Sequence, residues 1–440
     1  VGKKSLLYSL LIIPVLLVSA CQQEEAAEEG KTDGNEQEDA LTLDVLHSFT
    51  GEQPQAPVIE PAFETFDEEH SDINLQIETA GGNDIEQVLR TQVSADDAPD
   101  VFTHWGMRRS ESYFQNGDIP DISELIESDS ELEGMFREGS YTPVTYQGGV
   151  FGLPILSYSY HFIVNTEMFE EYEVSVPTNY DELKEAVTTF QENGVIPFAA
   201  NNHSARYMLL NLFSQHKTQE EMIEHATGEE PFGDALYTAA ERVQELAELG
   251  AFPDGYMSME SAQAVQLLNA GQSPMYYQMD WTLGHLDENQ MEKLDIIPFP
   301  LASDGLPQTT ISGNGQFIYM SNEAYEDPDK REAAWELMKK IASPEIGRQI
   351  IEEASVLDLS NSEVEFDESN VNPILVEAFE DQQSAENIVP SYDEELFASE
   401  VENEYWPLVD SLLLGDITPQ EFVDEMNNII QEYPNVQFDE

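Results

Sequence analysis

The chain carries a single cysteine, Cys21, in 440 residues, so no disulfide can close within it. Positive charge is also scarce: 17 Lys and Arg stand against 88 Asp and Glu, a formal net charge of -71. That imbalance argues against DNA, RNA and anionic membrane surfaces as partners, because each would repel the chain at long range. The acidity reads as a hydrated surface suited to a salty or alkaline medium, where counter-ions screen self-repulsion. It names no ligand and no compartment. No apolar run reaches the roughly 20 residues of a membrane span; Leu6 to Val18 is shorter and is interrupted by Pro14. Nucleophile elbow, His-Glu-x-x-His zinc motif and phosphate-cradling Gly-rich loop are all missing, and His161, His203 and His216 lack metal-ligand spacing. With so many acids, a pair of candidate catalytic carboxylates is uninformative, so a secreted carbohydrate-active enzyme has no positive support. Neither a catalytic residue, nor a cofactor, nor a metal is expected.

What the N-terminus does have is a short basic start, Lys3 and Lys4, then the apolar run, then Val18-Ser19-Ala20-Cys21. Small residues ahead of a cleavage point mark a signal peptide. The Val-Ser-Ala-Cys string resembles the lipobox of bacterial lipoproteins, which implies acylation of Cys21. Residues 1–20 are therefore expected to be a lipoprotein signal peptide. Residues 21–40, rich in Glu, Asp, Gln and Gly, are expected to be a solvated acidic tether. The protein is expected outside the cytoplasm, held on the outer face of the cell membrane.

Beyond the tether, strand-like and helical periods alternate. Leu41 to Leu46, Ile73 to Ile77, Val101-Phe102, Phe162 to Val164, Pro274 to Met279 and Phe317 to Met320 read as strands. Pro57 to Glu69, Asp84 to Ser94, Tyr180 to Asn193, Tyr237 to Leu249, Met257 to Asn269, Pro328 to Ile341, Pro344 to Glu353, Leu396 to Leu414 and Pro419 to Glu432 read as helices. Such alternation implies an α/β fold with parallel or mixed sheets, and the length favours two lobes.

Open α/β sheets bind ligands beyond the carboxyl ends of their strands. His47 and Ser48 follow the first strand, His104 and Trp105 the third, and Asp280 and Trp281 the Met275 to Met279 strand. An aromatic face beside a carboxylate suits a sugar, whose C–H face packs on the ring while its hydroxyls donate to the carboxylate. Trp335, inside an apolar helical period, and Trp406 read as core residues. Arg108 reads as a surface ion-pair partner.

Several short motifs then occur in order. They are Ala98-Pro99-Asp100-Val101, Phe151-Gly152-Leu153-Pro154, Val164-Asn165-Thr166-Glu167-Met168-Phe169 and Pro177-Thr178-Asn179-Tyr180-Asp181-Glu182-Leu183. Asn269 to Met275 with Asp280-Trp281, and Ala333 to Leu337 with Ile341 to Glu345, complete the series. Together they resemble the extracellular solute-binding proteins of family 1, the carbohydrate-type, maltose-binding-protein-like group, over nearly the whole chain after the tether. The resemblance implies a two-lobed periplasmic-binding-protein fold (type II), with mixed sheets flanked by helices and a hinge between lobes. It places one lobe at 41–150 plus 308–355 and the other at 151–307 plus 356–440.

The function implied is that of the substrate-binding lipoprotein of an ABC importer. It would act as a monomer, trap a sugar or oligosaccharide between the lobes and deliver it to the permease transmembrane subunits. Carried over by position, Trp281, Trp105 and Tyr158 are the first ligand candidates and Asp280 and His47 the next. Gly313, in a Gly313-Asn314-Gly315 turn, is expected to offer backbone groups. Tyr180 stands where the family has Trp, Pro274 where it often has Ala, and Asp280 near a usual Gly, so the ligand is not inherited with the fold. A polyamine, an amino acid or peptide, or ferric iron remains an alternative. Tyr276-Tyr277 resembles the adjacent tyrosines of iron receptors, although neighbouring strand residues point to opposite faces.

Overall fold

Alternation at the start of the folded region does what its period requires: Leu43 and Val45 turn inward while Asp44 faces solvent. The computed structural model describes residues 40–433 apart from 52, 82–83, 138, 359, 361–365 and 370. The expected signal peptide, Cys21 and all but the last residue of the expected tether lie outside the described residues, as does the side chain of Arg108.

Strand β1 (Leu41–His47) pairs in parallel with β2 (Ile73–Thr79) and with β3 (Val101–Trp105). Two short strands, β4 (Thr145–Tyr146) and β5 (Gly149–Val150), form a separate ribbon. The long β6 (Leu153–Asn165) is followed by β7 (Met275–Met279), β8 (Leu294–Ile297), the long β9 (Thr309–Met320) and β10 (Asn387–Val389). The order β2-β1-β3-β9-β6-β7, with β10 added on β9 and β8 on β6, makes one mixed sheet. β9 runs antiparallel to both β3 and β6, which is how the parallel part joins the rest.

Two pairs of apolar cores flank this sheet. Around β1, β3 and the end of β9, Val45, Val101 and Ile318 pack under the helices Ala56–Glu69 and Pro328–Ile341, while Leu46, Phe102 and Tyr319 pack on the opposite face. Around β6, β7 and β8, Phe162 and Tyr277 belong to one core and Ile163 and Tyr276 to the other. β6 and β9 run through both regions. Leu153, Ile155 and Leu156 of β6 lie in the first, and Tyr158, Tyr160 and Phe162 in the second, with a register irregularity between Pro154 and Ser157.

The motifs turn out to be caps and clamps. Asp100 accepts the Asp44 N–H at 2.9 Å and the Lys330 ammonium at 2.8 Å, so it pins β1, β3 and a helix together. Asn165 and Asn179 cap their helices through the N–H groups of Met168 and Glu182, at 3.1 and 3.0 Å. Glu182 reaches back to the Thr178 N–H at 2.8 Å. Tyr180, in place of a Trp, gives its hydroxyl to Glu245 at 2.7 Å. Trp335 is buried as expected, its indole N–H donating to Asp129 at 2.9 Å.

Three strands are longer than their apolar cores suggest. β3 continues to Trp105, so His104 and Trp105 sit in the strand and not after it. β6 begins at Leu153 and includes Tyr158. Gly313-Asn314-Gly315 is not a turn but the middle of β9, where Gly313 and Asn314 pair with Tyr158 and Ser157 of β6 and Gly315 falls at the register irregularity. Glycine-rich, polar strand residues hide from a propensity reading because tertiary pairing, not propensity, makes them strand.

Candidate functional site

The residues singled out at strand ends fall into three places. His47 closes β1 and lies face to face with Phe63 at 4.8 Å, buried. Burial pushes its pKa down to about 4, leaving the ring neutral. On β3, His104 is turned inward with Nδ1 2.9 Å from the Ser110 hydroxyl. Burial and the nearby Arg109 charge push its pKa down to about 3.

Trp105 is half-buried and sits opposite Gln316 of β9. Its ring carries the Arg109 guanidinium 4.6 Å from the centroid. The turn that leads there is tightly constrained. A Cβ at Gly106 would lie 2.7 Å from both the Phe317 ring and the Pro143 carbonyl oxygen, so only glycine fits. Met107 adopts a left-handed φ of 48° and donates its N–H to the Pro143 carbonyl.

At the centre of the β6–β9 ribbon, Tyr158 and Gly313 face each other in register. The buried Tyr158 hydroxyl donates to Glu395 Oε1 at 2.7 Å and accepts the Ser391 N–H at 2.9 Å. A Cβ on Gly313 would lie 1.5 Å from Glu395 Oε1, so a side chain there would have to displace the carboxylate.

Trp281 is the second residue of the short 3-10 turn Asp280–His285 after β7; it is half-buried, with its ring edge-on to His285 at 5.7 Å. Asp280 is fully enclosed. It accepts the Ser159 N–H at 3.0 Å, and Asp358 accepts the Ser157 N–H at 3.0 Å. Below Tyr160 the β7 ladder has not begun, and these carboxylates meet β6 N–H groups that would otherwise lack a partner. Burial raises the pKa of both acids, and the charge of Asp358 adds to the effect on Asp280. In this structure Asp280 braces the ribbon.

The structure thus joins Tyr158 with Gly313 and sets Asp280 one residue further along β6. Trp105 and His47 stand at one half of the sheet and Trp281 at the other. Tyr276 and Tyr277 are both buried on opposite faces, Tyr277 with its hydroxyl 2.7 Å from Asn211 Nδ2, so the two phenols do not converge on one ion. Among the described residues no group of three or more His, Cys, Asp and Glu could hold a metal, and no helix is long and apolar enough to cross a membrane.

Two arrangements were not foreseen from the sequence. Trp406, read as core, is half-buried, with Arg206 5.2 Å from its ring centroid and forked onto Asp410 at 2.7 Å. The i,i+4 spacing of Trp406 and Asp410 on one helix was the available signal. Arg109, next to the singled-out Arg108, reaches Glu402 with bonds of 2.8 and 3.1 Å. Nothing local announces a pairing 293 positions apart. Open cavities of about 420 and 450 Å³ lie elsewhere, beside Asp44, Gln76 and Glu78 and beside Tyr180, Arg242 and Glu245; neither touches the strand-end residues.

Comparison with known proteins gives this geometry a family. Residues 50–348 match the model of the bacterial extracellular solute-binding proteins. The melibiose/raffinose/stachyose-binding protein MelE of Bacillus subtilis (strain 168) is 29% identical over 138 residues; the match covers 30% of this chain and only 30% of MelE. A solved structure concerned with xylan utilization by Caldanaerobius polysaccharolyticus superposes with a TM-score of 0.79 at 23% identity, over 89% of this chain and 100% of that one. A chitin oligosaccharide binding protein does so with a TM-score of 0.80 at 18% identity, over 90% and 99%. The fold is the mixed α/β, type II periplasmic-binding-protein-like architecture, and the chain belongs to the bacterial extracellular solute-binding protein family.

Proposed function

We propose that this protein is the extracytoplasmic receptor of an ABC importer and that it takes a sugar or oligosaccharide. Family membership supports the receptor role. The sugar rests on the names of similar proteins, which bind melibiose, raffinose, stachyose or chitin oligosaccharides, and on what the strand ends hold. The observation that carries most is the half-burial of two tryptophans, Trp105 and Trp281, at the ends of strands on opposite halves of the sheet. Indole faces kept partly open on separate segments suit the C–H faces of sugar rings.

In this reading residues 41–150 plus 308–355 form one lobe and 151–307 plus 356–440 the other. The β6–β9 ribbon is the hinge, since these are the strands that pass between the two pairs of cores. Trp281 and Trp105 are the platforms; Tyr158, Asp280, His47 and Gly313 line or brace the space between them. Cys21 carries the lipid, and the protein, a monomer, hands its ligand to the permease subunits. It performs no chemistry on the ligand.

Thermal unfolding of residues 22–440 in high salt, against raffinose, stachyose, xylo-oligosaccharides and chitin oligosaccharides, tests the proposal. A ligand at about 100 times its Kd adds roughly 2.7 kcal/mol, enough to move the midpoint by a few degrees. The shift should vanish in Trp281→Ala. A shift with spermidine or an amino acid and none with any sugar would keep the receptor and overturn the sugar.

A further inference from the structure

The turn after β3 makes contacts on both sides of the proposed cleft. Met107 is 4% exposed, and its side chain lies in a core whose other buried members all fall between Tyr158 and Ile430. Two residues on, Nη2 of Arg109 donates to both carboxylate oxygens of Glu402 on the helix Ser399–Leu413, with side-chain exposures of 4% and 8%. Glu86 stands 3.5 Å from the other guanidinium nitrogen, and the neutral His104 is adjacent. The same guanidinium covers the Trp105 ring. One side chain therefore touches a proposed ligand platform and the opposite lobe at once.

We infer that Arg109 is a positioning residue: by pairing with Glu402 across the lobes it makes closure and the seating of the Trp105 ring a single event. The inference rests on the two-lobed receptor reading and adds what holds the closed form before any ligand arrives. Parting the lobes would return both charges to water. Closing them costs that hydration and regains a buried ion pair and a stack on the indole. Opposed terms of similar size leave the equilibrium poised, so a modest differential affinity of ligand for the closed form can move it.

The test uses the full chain with Cys21→Ser and spin labels at the exposed positions Glu68 and Glu425, one on each proposed lobe. Distances are measured without ligand in the parent, in Glu402→Gln and in Arg109→Lys, each first checked for native circular dichroism. Glu402→Gln keeps shape and removes the charge; Arg109→Lys keeps the charge and removes the planar guanidinium that meets Glu402, Glu86 and the Trp105 ring together. Both should move population to longer distances. The Trp105 emission, taken as the difference from a Trp105→Phe background, should shift to the red in step. Unchanged distances in the folded variants would overturn the inference. So would longer distances with an unmoved Trp105 emission, since closure and ring seating would then be separate. Adding raffinose, stachyose, xylo-oligosaccharides and chitin oligosaccharides in turn to the parent tests the sugar on its own: no response to any of them, beside a clear variant effect, overturns the sugar and leaves the pairing standing.

Discussion

The hydroxyl of Tyr158 donates to Glu395 at 2.7 Å and accepts the Ser391 N–H at 2.9 Å, tying the middle of β6 to a segment more than 230 positions away. All three groups are buried. A hydrogen bond to an enclosed carboxylate is among the stronger kind, and its loss removes a buried donor from that carboxylate. Tyr158→Phe should therefore cost about 2 kcal/mol in urea unfolding. An unchanged midpoint would mean that Glu395 is satisfied elsewhere.

Gly313→Ala tests the same junction from the facing strand. The new Cβ would fall 1.5 Å from Glu395 Oε1, and β9 is tied into its ladders, so the carboxylate must move. Overpacking of this kind costs about 1–3 kcal/mol. Paired with Glu395→Ala, which clears the space, the cost should be clearly less than the sum of the two single changes. Simple additivity in chemical denaturation would show that the two sites do not meet.

Acid should weaken the fold before it protonates ordinary carboxylates. His47, His104 and His203 are held neutral, with pKa values pushed to about 4, 3 and 4, by burial foremost in each case. Because these lie below the ordinary 6.5, the unfolded chain binds protons first as pH falls. Their stabilising effect is complete above about pH 6.5 and is lost progressively toward pH 4, by up to about 1.4 kcal/mol per pH unit and group. Asp280 and Asp358, with raised pKa values, work in the opposite sense and soften the slope. Melting midpoints at fixed high salt should drop between pH 7 and pH 5, and His203→Gln should flatten the curve. A flat parent profile would contradict the buried, neutral histidines.

With a formal charge of -71, the folded chain repels itself, and salt should relieve this. Raising sodium chloride from about 0.05 to 1 M shortens the screening length from more than 10 Å to about 3 Å. The midpoint should rise, most steeply at the low end, while sucrose of equal osmolality gives a smaller and smoother gain. Equal effects of salt and sucrose would assign the gain to solvent exclusion instead of charge.

Periodicity alone determined the fold class and many of the helices of this protein. Apolar spacing and capping residues are local, so Asp84–Ser94, Pro328–Ile341 and Pro419–Glu432 have the ends the sequence implies. The ordered motifs determined the family, and the structure shows why they could: Asp100, Asn165, Asn179 and Glu182 hold element ends together and are tolerant of ligand identity.

Long-range pairing was decided only in three dimensions. Gly313 belongs to a strand because β6 lies beside it, and Asp280 meets the Ser159 N–H because the β7 ladder ends at Met279, opposite Tyr160. Arg109 finds Glu402, and Trp406 collects Arg206, through contacts whose partners are remote in the chain. A carboxylate, a guanidinium or an indole has the same local sequence signature whether it faces a ligand, a backbone or an ion pair. Which it meets is set by the packing of elements far apart in sequence.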